Sequence, residues 1–209
     1  MDRPGKILCI GQNYRAHIAE LKGEASSEPV IFIKPATALI RNGEGILVPP
    51  GLGRVDYEGE LAVVIGKKCK GVSRSNALEC VGGLALFNDV TARDMQSRAR
   101  KAGMAWDMAK GMDTFAPMSE PKDFRDVDDV HALTIKTRLN GEVKQDGNTA
   151  DMIYPIEELI AYITKYMTLE PGDVIATGTP EGVGPITPGY AVEIEISGVG
   201  KLKNPVRSA

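Results

Sequence analysis

The segment Glu58-Gly-Glu-Leu-Ala-Val-Val-Ile65 decides the fold. Residues 60–65 are apolar at almost every position, which is typical of a β-strand that is buried on both faces. Such a strand lies inside a sheet whose two sides are covered, so we expect layered β-structure around it.

The rest of the chain predicts many short strands and few helices. Further strands are expected at 6–11, 29–34, 46–48, 84–90, 133–139, 174–176 and 192–196. The Asn140-Gly141 pair tolerates positive φ and predicts a type I′ hairpin after 133–139. Helices are expected at 13–22 and at 73–81, the second with Ser73 as its cap and Gly82-Gly83 as its end. A third helix is expected to have Pro155 in its first turn. The last helix carries an apolar stripe at Ile156, Leu159, Ile160, Ile163 and Met167. We therefore expect a β-rich α+β fold, with one domain over residues 1–209.

Bulk composition excludes several classes of protein. The 209 residues carry a net charge of -3, which argues against a nucleic-acid surface. No apolar run approaches the length of a membrane span, and the amino terminus shows no signal-peptide core. Three cysteines (Cys9, Cys69 and Cys80) are odd in number and lack C-x-x-C spacing. They are expected to be buried apolar groups in a protein of the reducing cytoplasm, without structural zinc or disulfides.

Three carboxylates lie at the ends of apolar strands. Glu58 and Glu60 are two apart, so their side chains point to one side of an extended chain, about 7 Å apart at the Cα atoms. Asp89 ends the next apolar run. Together they suggest an all-oxygen site for Mg²⁺ or Mn²⁺. The same spacing also fits a solvated strand end with ordinary surface acids.

Histidine is scarce, with only His17 and His131 in the chain. His17 and Glu20 are three apart in a helical stretch and share a face. A carboxylate beside an imidazole favours general-base catalysis, although an ordinary surface pair has the same spacing. His131 is interpreted as a surface residue.

The glycine-rich segment Thr177-Gly-Thr-Pro-Glu-Gly-Val-Gly184 follows a strand. It lacks the lysine of a phosphate-binding P-loop, so it is either a structural turn or a turn whose N–H groups bind a carboxylate. Arg93 and Gln96 follow Asp89, and Lys110 follows Trp106. A lysine close to a developing negative charge would stabilise it, whereas each of these residues taken singly also fits a surface position.

Taken together, these segments resemble the fumarylacetoacetate hydrolase family, closest to its short acylpyruvate-hydrolase branch. The resemblance covers nearly the whole chain. It runs through residues 11–14 with His17 and Glu20, and then through 28–35, 56–66, 88–96, Lys110, 145–152 and 172–184. Asp56-Tyr57 stands where close members of the short branch often have two histidines.

The resemblance implies the family's mixed β-sandwich roll, usually as a homodimer. It implies that Glu58, Glu60 and Asp89 bind Mg²⁺ or Mn²⁺, and that His17 and Glu20 form a water-activating pair on a lid. The residues implied to contact a keto-acid substrate or its developing charge are Arg93, Gln96, Lys110, Gly178 and Thr179.

Three functions are consistent with these residues. The first is hydrolysis of a carbon–carbon bond in an acylpyruvate, such as acetylpyruvate or fumarylpyruvate, with His17 as the base. The second is a decarboxylase or keto–enol isomerase that uses the same site on oxaloacetate and needs no attacking water. The third is a binding protein without catalytic activity. The presence of every expected site residue argues against it, namely His17, Glu20, Glu58, Glu60, Asp89 and Lys110.

Overall fold

The computed structural model describes residues 3–20 and 26–209. Within these ranges the strands, numbered in chain order, are β1 (Ile7–Gly11), β2 (Val30–Lys34), β3 (Leu39–Ile40), β4 (Ile46–Val48), β5 (Val55–Tyr57), β6 (Gly59–Ile65), β7 (Val81–Asn88), β8 (Thr91–Ala92), β9 (Ala116–Pro117), β10 (Lys122–Asp123), β11 (Thr134–Leu139), β12 (Glu142–Asn148), β13 (Val174–Ala176), β14 (Gly184–Pro185), β15 (Ala191–Ile196) and β16 (Gly200–Ser208). The α-helices of the same ranges are α1 (Arg15–Glu20), α2 (Arg93–Lys101), α3 (Asp107–Lys110) and α4 (Ile156–Tyr166). Short 3₁₀ helices lie at Ala36–Ala38, Arg74–Cys80, Phe124–Asp126 and Thr149–Asp151.

A six-stranded mixed sheet, in the order β10-β7-β6-β13-β1-β2, forms the centre of the fold. β1 and β13 pair in parallel, with Ile7 opposite Val174, and the remaining pairs are antiparallel. All seven residues of β6 are buried. The strand predicted from residues 60–65 is therefore confirmed as one that is covered on both faces.

A second sheet, in the order β12-β11-β15-β16-β4, packs against β6 and β7 of the central sheet. Leu61, Val63 and Ile65 of β6 share one apolar core with residues of this second sheet, among them Ile135 and Ile194. The alternate residues of β6 face a smaller core on the other side of the central sheet. The β-rich, mixed sandwich with few helices agrees with the fold class expected from the sequence.

The predicted hairpin and the predicted apolar helix are both present. Asn140 and Gly141 join β11 to β12 with φ of 51° and 89°, as a type I′ turn requires. In α4 the predicted stripe is buried up to Ile163, and Met167 is half-buried just after the helix. Pro155 is the N-cap residue of this helix, one position before the first turn in which it was predicted, and it makes no side-chain capping hydrogen bond.

The structure differs from the sequence prediction around Ser73. Residues 74–80 form a 3₁₀ helix, and the Ser73 hydroxyl hydrogen-bonds Ser75 Oγ at 2.9 Å instead of capping that helix. Gly82 and Gly83 do not end a helix but lie inside β7. Gly82 is needed there because a Cβ atom on it would lie 2.7 Å from the Cα atom of Gly66 on the neighbouring chain segment.

Other predictions have simple outcomes. The helix expected at 13–22 is present as α1, while residues 21 and 22 lie outside the described residues. The three cysteines are buried and unpaired, as expected. None of the described helices has the length and apolar character needed to cross a membrane.

We expect Gly82→Ala to destabilise the protein by about 1–3 kcal/mol, because the added methyl group meets backbone atoms that cannot rotate away. Gly11→Ala is the matched control, since a Cβ there would make ordinary contacts, the nearest at 3.5 Å from Val30. The control should be neutral or slightly stabilising. The measurement is the urea midpoint at constant m-value, and equal midpoints for the two variants would contradict the expectation.

Candidate active site

Three buried carboxylates meet at the end of β6. Glu58 lies between β5 and β6, Glu60 lies within β6, and Asp89 follows β7. β6 and β7 are paired, and the Asp89 N–H donates to the Glu58 carbonyl at 2.9 Å, which brings the two segments together. One carboxylate oxygen from each residue lies within 4.8 Å of the others. The three acids expected from the sequence therefore form one compact cluster.

Glu60 has no cationic side chain paired with it among the described residues. Its Oε2 atom accepts a hydrogen bond from the Gly178 N–H at 2.9 Å. Burial raises the pKa of Glu60 well above its ordinary value, and the neighbouring charges of Asp89 and Glu58 raise it further. A buried all-carboxylate set that repels itself fits a hard divalent cation, which supplies the missing positive charge. Glu58, Glu60 and Asp89 would hold that cation.

Two cations lie against the cluster from its open side. Lys110 Nζ is 2.9 Å from Glu58 Oε2 and 2.6 Å from Asp89 Oδ2. Arg93 Nη2 donates to Glu58 Oε1. Although burial alone would raise it, these two cations hold the pKa of Glu58 well below its ordinary value. The same carboxylates raise the pKa of Lys110 against the effect of its own burial, so Lys110 is a fixed positive charge in the site.

Lys34 is a third cation of the cluster, and it is not among the site residues predicted from the sequence. It ends β2, is 0% exposed, and places Nζ 2.7 Å from Asp89 Oδ1. Its ammonium group also donates to the carbonyl oxygens of Phe115 at 2.6 Å and Val90 at 2.9 Å. Lys34 therefore fixes Asp89 from inside the protein. A lysine at the end of an apolar strand is the only sequence signal for this position, and it does not indicate the partner.

Asp56 was also absent from the predicted site residues. It is 0% exposed, and its two oxygens accept hydrogen bonds from Arg54 Nε at 2.7 Å and Arg93 Nε at 2.8 Å. Arg93 Nη1 in turn donates to Gln96 Oε1 at 2.7 Å. With Glu58, these contacts hold the Arg93 guanidinium on three of its sides.

His17 and Glu20 form a pair on α1. His17 is 5% exposed, and its Nδ1 atom lies 3.2 Å from Glu20 Oε2. The Gly182 N–H donates to Glu20 Oε1 at 3.1 Å, which anchors the carboxylate. The other ring nitrogen of His17, Nε2, makes no hydrogen bond to a described residue. A carboxylate that orients an imidazole with one nitrogen left available is the arrangement of a general base.

The glycine-rich segment closes the cluster from the side of β13. Gly178 has φ of 97°, and a Cβ atom on it would lie 2.8 Å from Asn13 Cβ, so glycine is required where its N–H meets Glu60. The Thr179 hydroxyl donates to the Gly59 carbonyl at 2.9 Å and accepts from Gln145 Nε2 at 2.7 Å. The segment is thus a turn whose backbone binds a carboxylate of the protein itself.

These groups surround a cavity of about 170 Å³. Its lining includes Ile10, Gly11, Gln12, His17, Phe32, Glu58, Glu60, Asp89, Arg93, Gln96, Ser97, Arg100, Trp106, Lys110 and Thr179. All the site residues predicted from the sequence line the cavity except Glu20 and Gly178. Glu20 contacts His17, and Gly178 hydrogen-bonds Glu60, so each of the two contacts a lining residue. His131 is exposed, 3.6 Å from Glu157, at the surface as expected. The structure brings the predicted residues together, and their individual roles stay predictions.

Comparison with known proteins agrees with this geometry. Residues 6–207 match the family described as fumarylacetoacetate (FAA) hydrolase C-terminal. The mitochondrial oxaloacetate tautomerase FAHD1 of Bos taurus is 43% identical over 197 residues, which are 94% of this chain and 89% of the relative.

Two similar proteins of known structure are named for different activities, one as a hydrolase and one as an isomerase. A fumarylpyruvate hydrolase from Pseudomonas aeruginosa, in complex with Mn²⁺ and pyruvate, superposes with a TM-score of 0.95 at 32% identity, over 99% of this chain and 91% of that one. A 5-carboxymethyl-2-hydroxymuconate delta-isomerase from Mycobacterium smegmatis gives a TM-score of 0.89 at 43% identity, over 99% and 80%. The chain belongs to the fumarylacetoacetate hydrolase family, whose members include hydrolases and isomerases.

We expect Mn²⁺ or Mg²⁺ to stabilise the protein against unfolding through the carboxylate cluster. At 100 times the dissociation constant the gain is about 2.7 kcal/mol. Glu60→Gln should abolish most of this gain, because it removes a ligand charge. The measurement is Tm with the metal and with EDTA. Asp146→Asn is the control, since Asp146 is 55% exposed and pairs only with Lys136 among the described residues. A full metal shift in Glu60→Gln would contradict the assignment of the site.

We expect Lys34→Met to destabilise the metal-free protein by about 3–5 kcal/mol, because it leaves Asp89 buried without its inner partner. Lys68→Met removes the partner of Glu170 in an ion pair whose side chains are 68% and 49% exposed, and it should cost under about 1 kcal/mol. Chemical denaturation in EDTA compares the two variants. Similar losses in both would show that Lys34 does not stabilise the cluster.

Proposed function

We propose that this protein is a divalent-metal-dependent hydrolase that splits a carbon–carbon bond in an acylpyruvate-type 2,4-diketo acid. The observation that supports this proposal best is the position of the His17–Glu20 pair, which opens on the same cavity as the three carboxylates. A base beside a metal site is what an attack by water requires. The fumarylpyruvate hydrolase neighbour, named with Mn²⁺ and pyruvate, is a precedent of the same fold.

The proposed reaction begins with a proton transfer to His17. A divalent cation held by Glu58, Glu60 and Asp89 would polarise the keto-acid end of the substrate as a Lewis acid. His17 Nε2 takes a proton from water, while Glu20 holds Nδ1 and stabilises the imidazolium that forms. The resulting hydroxide adds to the acyl carbonyl that is remote from the keto acid.

The carbon–carbon bond then breaks. The acyl half leaves as a carboxylic acid, and the electron pair of the broken bond remains on the pyruvate half as an enolate. Lys110 is a buried cation in the cavity and would stabilise this charge. Return of a proton from the imidazolium to the terminal carbon of the enolate gives pyruvate and restores the base.

A second function uses the same cavity without attack by water. The bovine relative at 43% identity is named an oxaloacetate tautomerase, and the mycobacterial neighbour is named an isomerase. Oxaloacetate has a keto-acid end, which a divalent cation held by the three carboxylates would bind. Its decarboxylation needs charge stabilisation at that end and no base, because the electron pair of the broken C–C bond becomes the enolate as CO₂ leaves. Its keto–enol interconversion needs a group that takes a proton from C3 while the 2-oxo oxygen gains one, and hydrolysis needs a base for water.

Hydrolysis and decarboxylation differ in how much they depend on His17. Under the hydrolase proposal, the pure protein with Mg²⁺ or Mn²⁺ should release pyruvate from acetylpyruvate or fumarylpyruvate, and EDTA should stop the release. His17→Ala should lower this rate by about 10²–10⁴-fold, the usual contribution of a general base. His131→Ala is the control, because His131 is exposed and does not line the cavity.

Oxaloacetate is measured in parallel, by pyruvate formation and by the change in enol absorbance. Metal-dependent release of pyruvate from oxaloacetate alone, surviving His17→Ala, would replace the hydrolase by the decarboxylase. Metal-dependent keto–enol conversion of oxaloacetate without acylpyruvate turnover would replace it by the tautomerase. Normal acylpyruvate turnover by His17→Ala would refute the role of the His17–Glu20 pair.

The proposal includes two partners. One is the small keto-acid substrate, and the other is a second copy of the chain in a homodimer, which the family resemblance implies.

A further inference from the structure

The cations that line the cavity differ in their pairing. Lys110 lies against Glu58 and Asp89, and Arg93 lies against Glu58 and Asp56. Both charges are therefore already balanced by carboxylates of the protein. Arg100 also lines the cavity, and it has no carboxylate partner within the part of the chain that the structure describes. Among the cations that line the cavity, Arg100 is therefore the one available to pair with an anionic group of a ligand.

Arg100 reaches the cavity from the same face of α2 as Arg93. The cavity-lining residues of this helix are Arg93, Gln96, Ser97 and Arg100, which follow the i, i+3, i+4, i+7 spacing of one helical face. At 1.5 Å per residue, Arg100 lies about 10 Å farther along the helix than Arg93, which touches Glu58. Arg100 is thus displaced along α2 from the point where the helix meets the carboxylate cluster.

The two ends of this wall suit different chemical groups. The carboxylate cluster suits a cation and the keto-acid head that the cation binds. An apolar wall of Phe32 and Trp106, whose ring centroids are 5.7 Å apart, also lines the cavity and suits a carbon chain. An unpaired guanidinium suits a carboxylate, which it binds in a bidentate manner.

We propose that Arg100 is a specificity-determining residue that binds an acidic group on the substrate at the end remote from the keto acid. Arg100 would then be the residue that distinguishes a keto diacid from a keto acid with an apolar tail. This inference rests on the proposed function only in that it places the keto-acid head at the carboxylate cluster. It does not depend on which bond the enzyme breaks.

Binding of two unreactive ligands tests the inference apart from turnover. 2-Oxoglutarate and 2-oxopentanoate share a keto-acid head and five carbons, and they differ in whether the far end is a carboxylate or a methyl group. Neither has the second carbonyl that hydrolysis would attack. Calorimetric titration of the Mn²⁺-loaded protein should show that 2-oxoglutarate binds at least about 10-fold more tightly, as a charge-assisted hydrogen bond provides.

Arg100→Gln should reduce this preference to about onefold and leave the affinity for 2-oxopentanoate unchanged. Arg98→Gln is the matched control, because Arg98 is exposed like Arg100 and carries the same charge on the same helix, but does not line the cavity. The control should keep the wild-type preference. Arg100→Lys should keep part of it, since the charge stays and the fork geometry is lost.

Three results would overturn the inference. They are a preference that survives Arg100→Gln, a preference lost equally in Arg98→Gln, and wild-type protein that binds neither ligand or both equally. A protein that discriminates through Arg100 but turns over no acylpyruvate or oxaloacetate would support the inference while refuting the proposed function.

Discussion

Three buried carboxylates repel one another at the centre of the site, and the surrounding segments offset this repulsion. Glu58, Glu60 and Asp89 each place a carboxylate oxygen within 4.8 Å of the others, and the three residues are at most 5% exposed. Charges of one sign in such a place are costly unless opposite charges face them. The chain meets this cost with Lys34 from behind and with Lys110 and Arg93 from the cavity side.

This charge balance explains why distant segments converge on one point. Lys34 comes from the edge strand β2, Arg93 begins α2, and Lys110 ends α3. The cations offset Glu58 and Asp89 by direct contact, and the Gly178 N–H is the one hydrogen-bond donor to the Glu60 carboxylate among the described residues. Glu60 is therefore the carboxylate whose ionised form the chain stabilises least, and burial together with the charges of Asp89 and Glu58 raises its pKa. A divalent cation is the kind of ligand that this distribution favours.

The elements that were predictable from the sequence are those whose apolar pattern matches their burial. The strand at 60–65, the hairpin at Asn140-Gly141 and the stripe of α4 have this property. By contrast, α2 buries only Ala99, so it has no apolar stripe to reveal it. β16 alternates lysines with Leu202 and contains Pro205, a residue that ordinarily argues against a strand. The 3₁₀ form of residues 74–80 depends on packing against α4, which local sequence does not encode.

The site was predictable where residue type and chain position together suggest a role. Paired acids at a strand start and an acid three residues from a histidine are local patterns, and the family resemblance joined them into one site. Lys34 and Asp56 could not be found in this way, because their function lies in partners far along the chain. Only the folded arrangement shows that Lys34 meets Asp89. The same holds for Arg100, because only the folded arrangement shows that no carboxylate among the described residues pairs with it.

The parallel pairing of β1 with β13 has a consequence for synthesis of the chain. Lys6, just before β1, and its partner Asp173 are 167 residues apart. At typical translation rates the ribosome needs roughly 10–30 s to make that interval. During this time the apolar β1 has no strand on one side, while the β6–β7 hairpin already has both of its strands. Pairing along this edge of β1 is therefore possible only after Val174–Ala176 has been made.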